Sequence, residues 1–241
     1  MKKFILIFFV IFSFSSFGAA LVQVDEAKKV VTISANLFYY GKEANKINAK
    51  MCTDGIIREW APLSQNQTVS LGTKNNLQDG QYKIQLVVNH EVINTRRANA
   101  EIEKRKNFAN NYIEIPRDPS EEMMNAGGNV FHDGFTGSIY NDGIIVDFKI
   151  CAHEFGHLLG LGEMNDTKTP PTLMTQAGIK TPFPEFQVKV YDPRFFSMDV
   201  GTFDIRKRKI SMREINEIKR GLEFLSFTKG QAVLNCYVCQ L

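Results

Sequence analysis

The sequence predicts a single α+β domain, and three observations carry that prediction. Runs rich in β-branched and aromatic residues recur along the first half of the chain. Segments whose apolar residues fall at helical spacing lie between and after them. Setting a 20-residue leader aside from the 241 leaves 221 residues, a length that suits one domain with a full hydrophobic core.

The leader comes first. Met1-Lys2-Lys3 is positively charged, residues 4–12 are apolar, and residues 13–20 turn small or polar, ending Gly18-Ala19-Ala20. This is the pattern of a secretory signal peptide over 1–20, cut most simply after Ala20, with 21–241 as the exported chain, secreted or periplasmic. An uncleaved N-terminal anchor is the alternative. The apolar run is well short of the ~20 residues of a membrane span, so no stable span is expected once the signal is removed. No cysteine lies near the cut to carry a lipoprotein anchor.

The first strand is predicted over 29–39, from Val30, Val31, Thr32, Ile33 and the aromatics Phe38 and Tyr39. Ala44, Ile47 and Met51 then switch to helical spacing, and Ile56, Ile57 and Trp60 continue the stripe. They predict a helix over about 42–61, stopped by Pro62 and open to a break at Gly55. Strands follow over 82–88, alternating in its first half, and over 111–115, closed by Pro116. Residues 134–140 read as a short edge strand. Ser211-Met212-Arg213-Glu214 has capping-box form, and Ile215, Ile218, Leu222 and Leu225 follow as the final helix. There is no internal repeat or low-complexity tract.

The chemistry is concentrated in His153-Glu154-Phe155-Gly156-His157-Leu158-Leu159-Gly160-Leu161-Gly162-Glu163. On a helix the two histidines lie about 40° apart around the axis and about 6 Å along it, so both imidazoles reach one ion. Zinc takes neutral imidazole nitrogens and, in catalytic sites, keeps a position for water beside three protein ligands. Glu154 stands beside that position as general base, not ligand. Apolar residues Ile150, Cys151, Phe155, Leu158, Leu159 and Leu161 supply the helix, with Asp147 as candidate N-cap. Gly160 sits where a left-handed residue would end it. A sharp turn there lets the chain return within three residues to offer Glu163 as third ligand; Asp166 is the alternative.

In these residues the chain resembles the metzincin clan of zinc peptidases, whose pattern is H-E-x-x-H-x-x-G-x-x-H followed by a methionine turn. The match reads on His153, Glu154, His157 and Gly160 and departs at Glu163, where most of the clan has histidine. A carboxylate oxygen is an acceptable zinc ligand and leaves the site one charge less positive. The resemblance implies a metzincin-like α+β fold: a twisted, mostly parallel sheet with an antiparallel edge strand, an active-site helix, a Met-turn and a C-terminal helix. It implies that Met174, in Pro170-Pro171-Thr172-Leu173-Met174, forms the apolar floor of the site. A tyrosine ligand that some members carry two residues later is replaced here by Gln176. The resemblance also implies that 134–140 lines the cleft and pairs with an extended substrate, and that Pro182-Phe183-Pro184 walls a specificity pocket.

Other signals are weaker. Cys52, Cys151, Cys236 and Cys239 fit structural disulfides of an exported protein, in a pairing the sequence does not reveal. Cys52 lacks the surroundings of an inhibitory propeptide cysteine. His132 and Asp133 have no ligand spacing and read as a surface loop. With Lys2 and Lys3 removed, 27 basic residues face 26 acidic ones. That near-neutral balance argues against nucleic acid, and Arg206-Lys207-Arg208-Lys209 reads as a solvated lead-in to the last helix. The function expected is an exported zinc-dependent endopeptidase acting on a protein or peptide, with Zn2+ on His153, His157 and Glu163 activating a water that Glu154 deprotonates. The alternatives are a zinc amidase acting on cell-wall peptides and a catalytically silent zinc-binding or adhesion module. Nothing in the sequence selects a substrate or an oligomeric state.

Overall fold

A computed structural model describes residues 20–104, 109–118, 128–130, 136–139, 148–164, 168–175, 182–183 and 208–234. They form a mixed α/β structure around one sheet. Its strands are β1 (Ala20–Asp25), β2 (Val30–Tyr40), β3 (Thr68–Leu71), β4 (Gly80–Val92), β5 (Asn110–Glu114), β6 (Gly128–Val130), β7 (Thr136–Ile139) and β8 (Gln231–Leu234). The helices are α1 (Lys46–Ser64), α2 (Thr95–Lys104), α3 (Lys149–Leu158) and α4 (Met212–Phe224).

β2 organises the sheet because its side chains alternate cleanly. Val31, Ile33, Ala35, Leu37 and Tyr39 are buried on one face, while Thr32, Ser34, Asn36 and Phe38 are half-buried on the other. Along one edge β2 pairs with β4 in parallel from Val30 to Tyr39. Its other edge is shared: β1 takes residues 30–34 antiparallel, and β5 takes residues 36–40 parallel. β7 continues in parallel beyond β5, whereas β3, β6 and β8 add antiparallel neighbours to β4, β7 and β1.

The sheet is therefore mixed, with a parallel quartet β4-β2-β5-β7 inside antiparallel flanks, rather than mostly parallel with one antiparallel edge. The reading of 134–140 as an edge strand is also corrected. β7 is hydrogen-bonded on both sides, to β5 and to β6, and all four of its residues are buried. The outermost strand on that side is β6.

The main core lies on the face of β2 that carries Ile33 and Leu37, where Ala49, Cys52, Ile56, Trp60 and Leu63 of α1 pack with α3 and α4. Each large side chain fully buried there contributes about 1.5–3 kcal/mol of transfer free energy. α2 covers the opposite face at one end, where Ala98 packs with Tyr40, Ile93 and Tyr112, and Phe38 stacks on Tyr112 with centroids 5.4 Å apart.

α1 differs from its expected form. It starts later, at Lys46, because Asn45 Oδ1 accepts the backbone N–H groups of Ile47 and Asn48 at 2.9 and 3.0 Å as an N-cap. It runs unbroken to Ser64, with Pro62 inside its last turn. Gly55 does not break it. Phe148 packs against that glycine so closely that a Cβ there would lie 2.5 Å from Cδ2 of the ring. At the other end of the chain, β1 begins at Ala20, the residue the sequence places last in the leader; Ala20 is fully buried and pairs with Leu234. Among the described residues, no helix is long and apolar enough to cross a membrane.

Candidate metal centre

α3 carries the two histidines and is fastened to α1 before it reaches them. Cys151 forms a disulfide with Cys52, with Cα atoms 5.4 Å apart, which settles one pairing; Cys236 and Cys239 lie outside the described residues. Trp60 Nε1 donates to the Ala152 carbonyl at 2.9 Å, and its indole meets Phe155 edge-on. The expected cap Asp147 lies outside the described residues. The helix starts at Lys149 after Phe148, which makes no side-chain cap.

The end of α3 follows from Gly160. Its φ of +90° is left-handed, and two hydrogen bonds close a Schellman motif around it: Gly160 N–H to His157 O at 2.9 Å and Leu161 N–H to Gly156 O at 3.0 Å. The reversal brings the Leu161 carbonyl to the ring of His157, whose Nδ1 lies 2.8 Å away. His153 Nδ1 makes the equivalent 2.8 Å contact with the Leu173 carbonyl. A carbonyl oxygen only accepts, so each Nδ1 carries a proton and each neutral ring presents the lone pair of Nε2.

Those lone pairs converge. His153 Nε2 and His157 Nε2 are 3.2 Å apart, and Glu163 Oε1 lies 3.4 Å from the first and 3.6 Å from the second. Three acceptor atoms so placed repel one another unless a cation lies among them. Ligands about 2.0–2.1 Å from a tetrahedral zinc stand about 3.3–3.4 Å apart, whereas an octahedral ion with bonds of that length draws them to about 2.9 Å. The observed triangle is of a size that a single metal ion can span. His153 is buried, His157 half-buried and Glu163 the most exposed of the three.

Electrostatics point the same way. Burial opposes a charged His157, but the Glu163 carboxylate, the nearby Glu154 charge and the Leu161 carbonyl outweigh it and raise its pKa to about 9. Burial likewise opposes the Glu163 anion, yet the imidazoles of His153 and His157 prevail and lower its pKa to about 2. Both shifts express one preference: the cluster favours positive charge where the three atoms meet. Glu154 is buried, and its charge reaches His157 without belonging to the ligand triangle.

Met174 lies under the helix. It is fully buried, and a Cβ added to Gly156, between the two histidines, would lie 2.1 Å from its Sδ. Only glycine admits the thioether at this depth. The Met174 carbonyl accepts from Met164 N–H at 2.8 Å, tying the turn to the residue after Glu163.

Two residues of this region are not apparent in the sequence reading. Glu214, taken there only as part of a helix cap, is fully buried; Oε1 accepts the Met174 N–H at 2.8 Å and Oε2 the Ser211 N–H at 2.5 Å. Arg208, taken as part of a solvated lead-in, is 2% exposed and donates through Nη1 to the Thr175 carbonyl. The capping-box spacing already marked Glu214, but nothing local in the run 206–209 distinguishes a buried arginine from its neighbours. Of the remaining candidates, Pro182 is exposed and Phe183 half-buried, while His132, Asp133, Asp166, Gln176 and Pro184 lie outside the described residues. No family model matches the chain, and no curated protein matches it in sequence.

Proposed function

We propose that this protein is an exported zinc-dependent endopeptidase of metzincin type, with His153, His157 and Glu163 as metal ligands and Glu154 as general base. The observation that carries the reading is the triangle of His153 Nε2, His157 Nε2 and Glu163 Oε1, with sides of 3.2, 3.4 and 3.6 Å. Zinc bound there would supply Lewis acidity, lowering the pKa of water to about 7 and polarising a carbonyl. Glu154 takes the proton of the attacking water and hands it to the leaving amine, since the group that acts as base in the addition serves as acid in the collapse. Its burial beside the ligands suits that task, because a carboxylate shielded from bulk water exchanges protons with the substrate rather than with solvent.

The two backbone carbonyls on Nδ1 keep the rings in one tautomer and one orientation, and Met174 supplies an apolar floor. An extended substrate would add along β6, which runs beside α3 and, among the described residues, pairs with β7 alone. That moves strand addition from 134–140 to its neighbour. The Cys52–Cys151 disulfide fits an oxidising compartment and supports export.

The test is cleavage of a peptide library by zinc-loaded protein with and without chelator, beside the variants Glu154→Gln, Glu163→Ala and Asp166→Ala. Chelator-sensitive cleavage is expected, with Glu154→Gln keeping stoichiometric zinc but losing activity. Zinc binding without cleavage by the wild type would leave a silent metal-binding module, and cleavage confined to cell-wall peptides an amidase. Tight zinc binding retained in Glu163→Ala and lost in Asp166→Ala would transfer the third ligand to Asp166.

A further inference from the structure

We infer that Glu214 is a positioning residue for the metal centre: it holds the 173–175 turn whose carbonyl orients His153. This rests on the metal site proposed above. The turn is gripped at three consecutive residues from one short stretch of chain. Leu173 N–H donates to the Lys209 carbonyl at 3.1 Å, Met174 N–H to Glu214 Oε1 at 2.8 Å, and the Thr175 carbonyl accepts from Arg208 Nη1. Within the turn, Thr172 N–H reaches Thr175 Oγ1 at 2.9 Å. The same stretch also holds the helix, because Lys149 Nζ, at the start of α3, donates to the Arg208 carbonyl at 2.6 Å.

The connection from Glu214 to the metal site is short. Its carboxylate fixes the amide of Met174; the peptide unit between Leu173 and Met174 is planar, so fixing that N–H also fixes the Leu173 carbonyl on its other side. That carbonyl is the 2.8 Å partner of His153 Nδ1. A fully buried carboxylate that accepts two backbone N–H groups, one in the turn and one at the start of α4, is an expensive way to stabilise a loop. It is an effective way to hold one peptide plane against a ring. Groups that orient metal-bound histidines commonly influence affinity by about 10–100-fold.

The substitution Glu214→Gln keeps the shape but offers one acceptor oxygen to two N–H groups, so one of them loses its partner. In the full-length chain, zinc affinity is measured by competition with a chromophoric chelator, the absorption spectrum of the cobalt-substituted protein is recorded, and melting temperature is followed with and without zinc. Glu214→Gln is expected to weaken zinc binding by about 10-fold, to shift the cobalt spectrum and to shrink the rise in melting temperature that zinc produces. Glu217→Gln, half-buried on α4 and paired with Arg213 at 3.6 Å away from the turn, serves as control and should change none of these. A Glu214→Gln protein that melts earlier but binds zinc as tightly as wild type, with an unchanged cobalt spectrum, would reduce Glu214 to a structural residue and overturn the inference. If Glu214→Gln fails to fold, Arg208→Lys, which loses the planar guanidinium at Thr175, carries the same expectation and the same refutation. Absence of zinc binding by the wild type would overturn the metal site itself, and this inference with it.

Discussion

Removing the Cys52–Cys151 disulfide should cost as much stability as the largest single core substitutions. The bridge joins residues 99 apart in sequence, and closing a loop of that length in the unfolded chain removes about 4–5 kcal/mol of conformational freedom on the chain-entropy account. Total stabilities of 5–15 kcal/mol are usual, so about a quarter or more of the whole is at stake. For a domain of this size each kcal/mol moves the melting temperature by about 2–4 °C. The double variant Cys52→Ala/Cys151→Ala is therefore expected to melt about 8–20 °C below the oxidised wild type in calorimetry under non-reducing conditions. Both sulfurs are buried, so packing loss adds to the effect rather than offsetting it. Because Cys151 lies two residues before His153, the same variant should also bind zinc less tightly. A fall of less than about 3 °C would refute the loop argument, and so would reduced wild type that melts where the oxidised protein does.

Two further outcomes follow from the site. Gly160→Ala places a side chain at a φ of +90°, which costs about 1–2 kcal/mol, and it loosens the turn that gives Leu161 O to His157; urea denaturation should show the loss and chelator competition a weaker zinc site. Chelator-treated protein should be most stable between about pH 4.5 and 6.5. His157 is raised from 6.5 to about 9, so its contribution is complete below 6.5 and disappears as pH rises through 9, while Glu163 is lowered from 4.5 to about 2, so its contribution is complete above 4.5 and disappears as pH falls through 2. Melting temperatures against pH for wild type and Glu163→Ala check this; parallel profiles would exclude the His157–Glu163 interaction as their source.

The site was more legible in the sequence than the frame that holds it. His153, Glu154 and His157 declare themselves by spacing, and Gly160 by its place after the helix, because each is fixed by local geometry. The strands around 29–39, 82–88 and 111–115 appear for the same reason: their runs of β-branched and aromatic residues are a local signal. α2 does not appear, since only Ala98 of its ten residues is buried and no stripe forms. β1 is concealed by the apolar leader before it, and β3 is four residues long. Gly55 and Pro62 suggest interruptions in α1 that the fold overrides, one to admit Phe148 and the other by lying in the last turn. The disulfide, the burial of Arg208 and the place of β7 between two neighbours depend on contacts between distant segments, which no local pattern encodes.

The pairing of β1 with β8 has a consequence for how the chain is made. Ala20 bonds in register with Leu234, so 214 residues separate the two partners along the ribosomal product. At about 5–20 residues per second, the second partner emerges some 10–40 seconds after the first. During that interval β1 can form its hairpin with β2, but its other edge stays open, as a bare strand edge able to recruit a neighbouring nascent chain. A shorter delay, over the 57 residues from His157 to Glu214, applies to the candidate metal centre. His153 and His157 are synthesised before Arg208 and Glu214 arrive to hold the turn beneath them, so the candidate site takes its final geometry late, close to the closing of the sheet.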